Sequence, residues 1–266
     1  MPGLGVVTGA SSGIGEAYAG RLAAEGWDLV VVARRAERLG QLAARLSEAH
    51  AVTVRVMQAD LADPGAVARV CDEIAGMPVG LLVNNAGLAH YMPFAELPPE
   101  QAAELVDLNV LAPVLVTRAA LPGMLSRGHG TVINVASLLA FSGAAQAPFL
   151  PRRAVYAATK SFLVTYSQAL AAEVADCGIR IQVVCPGVVR SEFHSRQGLD
   201  MTAVSRMEPD QVVEASLADL ADGVVVSVPG LADTGALAHL EAASQELVGA
   251  ARTAELPARY RRNAQG

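Results

Sequence analysis

Short apolar runs alternate with longer helical patterns along most of this 266-residue chain. The runs are mostly continuous in Val, Ile and Leu, which is typical of strands that helices cover on both faces of a parallel sheet. Regular alternation of strand and helix places such helices on the two sides of one sheet. The sequence therefore predicts an α/β fold, a doubly wound parallel sheet of about seven strands with helices on both faces.

The predicted elements extend from the N-terminus to about residue 228. The strands are predicted at Gly5–Thr8, Asp28–Ala33, Val52–Gln58, Gly80–Asn84, Thr131–Ala136, Arg180–Cys185 and Val224–Val228. The helices are predicted at Ile14–Glu25, Ala36–Ala49, Pro64–Ala75, Glu100–Ser126, Ala154–Asp176 and Pro209–Leu220. Because we find no internal repeat and no linker, we expect one domain over residues 1–254. Residues 255–266 have little apolar content, and we expect them to form a mobile tail.

The composition argues against several kinds of partner. The formal net charge is −6 and no basic block stands out, so we expect no binding to nucleic acid. The three cysteines are widely spaced and fit neither a metal site nor a disulfide framework, which indicates reduced thiols. The N-terminus has no basic region before its apolar run, and no apolar stretch reaches the roughly 18 residues that a membrane span needs. We therefore expect a cytoplasmic protein without a membrane partner or a bound metal.

A glycine-rich segment, Thr8 to Gly15, joins the first predicted strand to the first predicted helix. Glycine lets the backbone turn tightly and approach a ligand closely, because no Cβ intervenes. The helix that follows directs free N–H groups and the positive end of its dipole at the same place, which favours a pyrophosphate. An ordinary turn is the alternative. We predict ligand contacts from Gly9, Ser11, Ser12, Gly13, Ile14 and Gly15.

The chain contains 19 arginines but a single lysine, Lys160, which lies four residues after Tyr156. Positions i and i+4 share a face of a helix, so the predicted helix places the ammonium beside the phenol. An adjacent positive charge favours loss of the phenolic proton. A guanidinium is a wide planar fork, whereas an ammonium is a compact point charge, so arginine is a poor substitute at such a place. The pair is therefore a candidate active site.

The GxxxGxG spacing and the segment Tyr156-Ala157-Ala158-Thr159-Lys160 together resemble the short-chain dehydrogenase/reductase family. The resemblance extends from Gly5 to about Val228 and implies a Rossmann-type fold with a bound nicotinamide dinucleotide. Two further matches are Asn84-Asn85-Ala86-Gly87 after the fourth predicted strand and the segment from Cys185 to Ser191. The cofactor contacts that these matches imply are Asp60, Leu61, Asn85, Ala86, Gly87, Tyr156, Lys160, Pro186, Gly187, Val188 and Ser191.

The same resemblance implies a catalytic set of Asn109, Ser137, Tyr156 and Lys160. Tyr156 donates a proton to a carbonyl oxygen during reduction and accepts one during oxidation. Lys160, aided by the positive oxidised nicotinamide, favours the phenolate and also hydrogen-bonds the nicotinamide ribose. Ser137 holds the substrate oxygen, and Asn109 anchors a water that links Lys160 to solvent. We expect a small-molecule substrate, a ketone or aldehyde that is interconverted with its secondary or primary alcohol by hydride transfer.

The second predicted strand ends in Ala33-Arg34-Arg35 and has no acidic residue at its tip. In this fold the tip lies beside the adenosine ribose, where a carboxylate suits the hydroxyls of NAD and an arginine suits a 2′-phosphate. We therefore expect NADP(H), with Arg34 as the main phosphate contact and Arg35 or Arg38 assisting.

One departure from the family is the long segment between Ser137 and Tyr156, which are 19 positions apart and indicate an insertion at the rim of the pocket. Its apolar residues, Leu138, Leu139, Phe141, Phe149 and Leu150, predict an apolar pocket wall. We expect Arg152 and Arg153 to be exposed, with capture of an anionic substrate as the alternative. His90 is also expected to be exposed, with a place beside Tyr91 in the pocket wall as the alternative. Residues 192–207 are expected to form a mobile lid.

Other functions fit these residues less well. A catalytically idle nucleotide-binding sensor or scaffold does not need the four catalytic residues. Sugar-nucleotide epimerases have larger chains and another glycine spacing, and enoyl reductases place more residues between the tyrosine and the lysine. The resemblance further implies a homodimer or homotetramer formed through the long helices.

Overall fold

A computed structural model of the chain describes residues 3–145, 147, 149–201 and 203–251. Its seven strands are Leu4–Thr8 (β1), Asp28–Ala33 (β2), Val54–Gln58 (β3), Val79–Asn84 (β4), Gly130–Val135 (β5), Ile179–Val184 (β6) and Val226–Ser227 (β7). Its α-helices are Gly13–Ala24 (α1), Ala36–His50 (α2), Pro64–Ala75 (α3), Pro99–Val106 (α4), Ala112–Arg127 (α5), Ala154–Glu173 (α6), Glu192–Ser195 (α7), Pro209–Ala221 (α8) and Gly235–Ala250 (α9).

The strands form one parallel sheet in the order β3-β2-β1-β4-β5-β6-β7. The order reverses where β1 lies between β2 and β4, so the connections after these strands leave in opposite directions and open a crevice at their carboxyl ends. The predicted Rossmann-type α/β fold is therefore confirmed.

Two apolar cores lie on opposite faces of the sheet. Val6 of β1 belongs to the core that contains α3 and α5, whereas its neighbour Val7 belongs to the core that contains α1, α2 and α8. Successive strand side chains point to opposite faces, so a strand that is covered on both sides must be apolar at every position. This explains why the strand runs do not alternate with polar residues.

The predicted helix Glu100–Ser126 is interrupted in the structure. One turn of π-helix, Asp107–Leu111, separates α4 from α5 and carries the buried Asn109. The predicted helix Ala154–Asp176 ends earlier, at Glu173, and a 3₁₀ turn, Ala175–Cys177, follows it. Two helices, α7 and α9, are not among the sequence predictions.

The described chain divides into two compact units, with the boundary after Gly230. The first contains the whole sheet and α1 to α8. The second contains α9, which has no buried residue and exposes Leu247 and Val248. The extent of the predicted domain, residues 1–254, stays a prediction, and the predicted tail lies outside the described residues.

Within the described residues, one helical stretch, Pro99–Arg127, meets the length and hydropathy of a membrane span. Its most apolar window has a mean hydropathy of 1.5 and is 44% buried. The stretch includes Leu105, Val116 and Met124, which belong to the protein core, and Leu115 and Leu125, which are exposed. Core helices of soluble proteins can have the same length and hydropathy, so this stretch alone does not indicate a membrane span.

Candidate active site

A cavity of about 950 Å³ occupies the crevice at the carboxyl ends of the strands. The predicted site residues that line it are Gly9, Ser11, Ser12, Gly13, Ile14, Arg34, Arg35, Asp60, Leu61, Asn85, Ala86, Gly87, Ser137, Tyr156, Lys160, Pro186, Gly187, Val188 and Ser191. Gly15, Arg38 and Asn109 are not part of its wall. Residues from seven separate segments of the sequence thus meet in one place, as the parallel topology requires.

The loop between β1 and α1 has the shape of a phosphate cradle. Gly9 and Gly13 adopt φ values of 66° and 61°, which favour glycine. A Cβ on Gly15 would lie 2.5 Å from the carbonyl oxygen of Gly9, so Gly15 allows α1 to pack closely against the loop. The loop and the start of α1 face the cavity, which fits a pyrophosphate.

Asn85 holds this loop in place from the neighbouring strand. Its amide donates to the carbonyl oxygens of Thr8, at 3.0 Å, and Gly9, at 3.2 Å. In return, Thr8 Oγ1 accepts hydrogen bonds from the backbone N–H groups of Asn85 and Ala86. The two glycine-containing segments therefore form one rigid wall of the cavity.

The three predicted phosphate-binding arginines have different surroundings. Arg34 lines the cavity, is about half exposed, and lies 3.7 Å from Asp60. Arg35 donates to Ser11 Oγ and Ser12 Oγ at 2.8 and 2.9 Å, and its Nη1 lies 2.8 Å from Glu192 Oε2. Arg38 also pairs with Glu192. Arg34 is therefore the one of the three that the Glu192 carboxylate does not neutralise.

Glu192 lies within a cluster of guanidinium groups. Hydrogen bonds from Arg38 and Arg35, and a further one from Arg196, hold the pKa of Glu192 at about 2. The carboxylate is therefore charged at every ordinary pH. Sequence reasoning missed this residue because its partners Arg35 and Arg38 are more than 150 positions away.

Tyr156 and Lys160 are both buried on one face of α6, as their spacing predicts. Lys160 Nζ lies 5.8 Å from the centroid of the Tyr156 ring and donates to the carbonyl oxygen of Val135 at 3.0 Å. Ser137 lies two residues after the end of β5 and also lines the cavity. The structure thus brings together the phenol, the ammonium and the serine.

Burial is the largest influence on the pKa values of both Tyr156 and Lys160. It raises the pKa of Tyr156 to about 12, whereas hydrogen bonding with Ser137 and with Tyr91 lowers it. Burial lowers the pKa of Lys160 to about 8, and the nearby Cys185 opposes that change. Burial therefore favours the protonated phenol, which is the form of a proton donor. The predicted effect of Lys160 and an oxidised nicotinamide on the phenolate stays a prediction.

Asn109 acts on the backbone of the neighbouring loop. Its side chain accepts from the N–H of Leu88 at 3.1 Å, donates to the carbonyl oxygen of Leu88 at 2.9 Å, and donates to Thr159 Oγ1 at 3.2 Å. These bonds hold the segment that contains Gly87, where a Cβ would lie 3.3 Å from Lys160 Nζ. The predicted role of Asn109 in anchoring a water stays a prediction.

Apolar side chains form the outer half of the cavity. The segment between Ser137 and Tyr156 contributes Leu138, Leu139, Phe149 and Leu150. The predicted lid, residues 192–207, contributes Phe193, Leu199, Met201 and Val204. The predicted apolar wall is thus present, except that Phe141 packs into a separate core cluster instead.

Arg153 is not the exposed arginine that the sequence predicts. It is half-buried and donates to Ser142 Oγ at 2.7 Å and to the carbonyl oxygens of Ser142 and Ala145 at 2.6 and 3.0 Å. These bonds fold the insertion onto the start of α6. Arg152 is exposed, as expected.

His90 is likewise less exposed than predicted. Its side chain is 19% exposed and pairs with Glu104, with 3.1 Å between Nε2 and Oε2. The next residue, Tyr91, reaches the cavity and contacts Tyr156 edge-to-face.

A Rossmann-type sheet with a glycine-rich phosphate loop and a buried Tyr–Lys pair in one cavity defines an α/β oxidoreductase. The chain belongs to the short-chain dehydrogenase family: the model of this family, described as short chain dehydrogenase, matches residues 5–201.

Known relatives extend this assignment. A very-long-chain 3-oxoacyl-CoA reductase of Laccaria bicolor is 38% identical over 181 residues, which are 66% of this chain and 52% of the relative. The chain thus spans about half the length of that curated relative. Among solved structures, a short-chain dehydrogenase from Sphingobium yanoikuyae in complex with NADPH is 36% identical, with a TM-score of 0.92 over 98% of this chain and 100% of the other. A bulky-bulky ketone specific alcohol dehydrogenase from Comamonas testosteroni is 33% identical, with a TM-score of 0.88 over 98% and 99% of the two chains.

Proposed function

We propose that this protein is an NADPH-dependent oxidoreductase that interconverts a bulky apolar ketone and its secondary alcohol. The observation that carries the proposal is the position of Tyr156: its phenol is buried and protonated, and it lines the same cavity as the phosphate loop. The apolar outer half of that cavity supports a bulky ketone, and the name of the Comamonas relative agrees with this class of substrate. The same reaction would interconvert an aldehyde and its primary alcohol, so the proposal includes these substrates.

A reduced nicotinamide, when bound, supplies the hydride. Ser137 and Tyr156 hydrogen-bond the carbonyl oxygen, and Tyr156 donates its proton to that oxygen as negative charge develops there. Lys160, which is mostly protonated at neutral pH, stabilises the phenolate that remains. The apolar side chains around the pair exclude water and so strengthen each of these interactions.

The preference for NADPH over NADH rests on Arg34. It lines the cavity directly after β2, a position where the sequence has no acidic residue, and its guanidinium lies 3.7 Å from the Asp60 carboxylate. The Sphingobium relative was solved with NADPH. We expect the 2′-phosphate to bind Arg34 and Ser11, since an arginine and a hydroxyl suit that group.

Loss of NADPH absorbance with a panel of aryl and alkyl ketones tests this function. Tyr156→Phe should lower kcat by about 10²- to 10⁴-fold, the usual contribution of a general acid, and should leave the Kd for NADPH nearly unchanged. A Phe variant that keeps most of its activity would place the proton donor elsewhere. An inactive wild-type protein that still binds NADPH would support the sensor or scaffold function instead.

A 3-oxoacyl thioester is a second candidate substrate, because the Laccaria relative is named for that reaction. The same assay with a long-chain 3-oxoacyl-CoA decides between the two classes. A kcat/KM at least tenfold above that of the best simple ketone would favour the thioester.

We also propose that the protein acts in the cytoplasm as a homodimer or homotetramer. Leu111, Leu115 and Leu125 of the α5 region and Phe162 of α6 are exposed apolar side chains on the two long helices. Burial of such a surface stabilises association. Light scattering at assay concentration measures the number of subunits.

A further inference from the structure

We propose that Tyr91 is a positioning residue whose hydroxyl donates a hydrogen bond to Oη of Tyr156 when that oxygen carries negative charge. The proposal rests on the proposed function, in which Tyr156 is the proton donor and acceptor. It adds a second phenol to the site and gives that phenol a task which the catalytic set does not include.

The two rings are in direct contact. Their centroids are 5.4 Å apart and their planes are inclined at 79°, which is an edge-to-face arrangement. Both side chains belong to one apolar cluster with Ala89 and Leu105, and Phe193 of the same cluster also contacts Tyr156. The contact therefore has a fixed geometry in a water-poor environment, where a hydrogen bond to a charged oxygen is strong.

The segment that precedes Tyr91 is held at two points. Asn109 binds the N–H and the carbonyl oxygen of Leu88. The contact of 3.1 Å between His90 Nε2 and Glu104 Oε2 ties the residue just before Tyr91 to α4. A donor that is already in position stabilises developing charge without a cost of reorganisation at the moment of reaction.

The positive charge nearest to Tyr156 does not hydrogen-bond its hydroxyl, so a neutral donor such as Tyr91 can do so. Lys160, on the same helix, gives a hydrogen bond to the carbonyl oxygen of Val135 and not to the phenol. The other titratable groups nearby are Cys185, which interacts with Lys160, and His194, whose ring contacts Phe193. Stabilisation of a phenolate by neutral donors therefore falls to Ser137 and Tyr91.

The two phenols differ in how readily they ionise. Burial raises the pKa of Tyr91 most, and the charge of Tyr156 and the hydrogen bond with it raise that pKa further, whereas the hydrogen bond with Tyr91 lowers the pKa of Tyr156. Tyr91 therefore keeps its proton over the working pH range, and Tyr156 is the member of the pair that ionises.

The test is the pH profile of kcat for oxidation of a secondary alcohol with NADP⁺, where Tyr156 must first lose its proton. Tyr91→Phe keeps the ring and its packing and removes only the hydroxyl. We expect its acidic limb to move up by about one pH unit, with a plateau at high pH close to that of the wild type. Tyr166→Phe is the matched control, because Tyr166 lies on α6, stacks on Phe162 and does not line the cavity. Its profile should superimpose on that of the wild type.

A second measurement does not depend on turnover. Spectroscopic titration of tyrosinate in the NADP⁺-bound protein, with the Tyr156→Phe titration subtracted, reports the pKa of Tyr156, and this value should rise by a similar amount in Tyr91→Phe. Unchanged values in both measurements would overturn the role of Tyr91. Substantial activity in Tyr156→Phe would instead overturn the proposed function, so the two failures are distinguishable.

Discussion

Arg35 and Glu192 join the phosphate loop to the lid segment, residues 192–207, through an ion pair of 2.8 Å. Arg35 also bonds Ser11 and Ser12, so one guanidinium contacts both sides of the crevice. Glu192 is followed directly by Phe193, which packs on Tyr156. The predicted phosphate site and the reacting centre are therefore mechanically connected through two adjacent residues of α7.

Removal of the Glu192 charge should favour NADPH over NADH. In Glu192→Gln the guanidinium groups of Arg35 and Arg38 lose their carboxylate, and their positive charge becomes available to a 2′-phosphate. We expect the Kd for NADPH to fall by about three- to tenfold, with a much smaller change for NADH, measured by fluorescence titration. Glu73→Gln is the control, because Glu73 pairs with Arg55 and does not line the cavity. Equal changes for both cofactors would mean that Glu192 acts on the lid and not on the phosphate site.

Loss of the Arg34 guanidinium should have the opposite effect on cofactor choice. Arg34→Ala removes the arginine that faces the cavity at the tip of β2. We expect the KM for NADPH to rise by about 10- to 100-fold and the KM for NADH to change little, since NADH has no 2′-phosphate. Arg45→Ala, which changes an exposed residue of α2 paired with Glu16, serves as the control. A similar rise for both cofactors would remove Arg34 from the 2′-phosphate site.

The fold was predictable because the strands are buried on both faces, which leaves a continuous apolar signature in each of them. The phosphate loop and the Tyr156–Lys160 pair were predictable because their geometry is local: a strand-to-helix turn and one turn of helix. The apolar run Val224–Val228 predicts a longer strand than β7, in which only Val226 and Ser227 pair with β6. Local propensity does not encode the π-turn that carries Asn109 or the hydrogen bonds of its side chain to Leu88, 21 positions away.

Features that arise from distant contacts were not predictable in the same way. Glu192 meets Arg35 across 157 positions, and Tyr91 contacts Tyr156, which lies 65 positions further along the chain. The high pKa of Tyr156 comes from its burial, which depends on the packing of the whole domain. Charge pairs and burial at this range are properties of the folded chain and not of any local pattern.

Ketone reduction should lose activity above about pH 8. The pKa of Lys160 is lowered to about 8, so its ammonium is present below that pH and is lost as the pH rises through it. Without this charge, the phenolate that remains after proton transfer from Tyr156 is less stable, and kcat/KM should fall along a basic limb. The measurement is kcat/KM for a ketone across the pH range, with NADPH binding measured at each pH. Lys160→Arg keeps a positive charge at every pH and should show low activity without that limb; a limb that persists in this variant would belong to another group.

The insertion between Ser137 and Tyr156 should determine how the pocket binds large substrates. Arg153 holds this segment through hydrogen bonds to Ser142 and Ala145, and the segment contributes Phe149 and Leu150 to the apolar wall. Arg153→Ala should loosen the wall and raise the KM for a bulky aryl ketone by about five- to tenfold, while the KM for acetone and the Kd for NADPH change by less than about twofold. The neighbouring Arg152→Ala is a closely matched control, since Arg152 is exposed. Steady-state kinetics of both variants with the two ketones test the role; an equal loss for both ketones would show that Arg153 supports the fold of the site as a whole and not its selectivity.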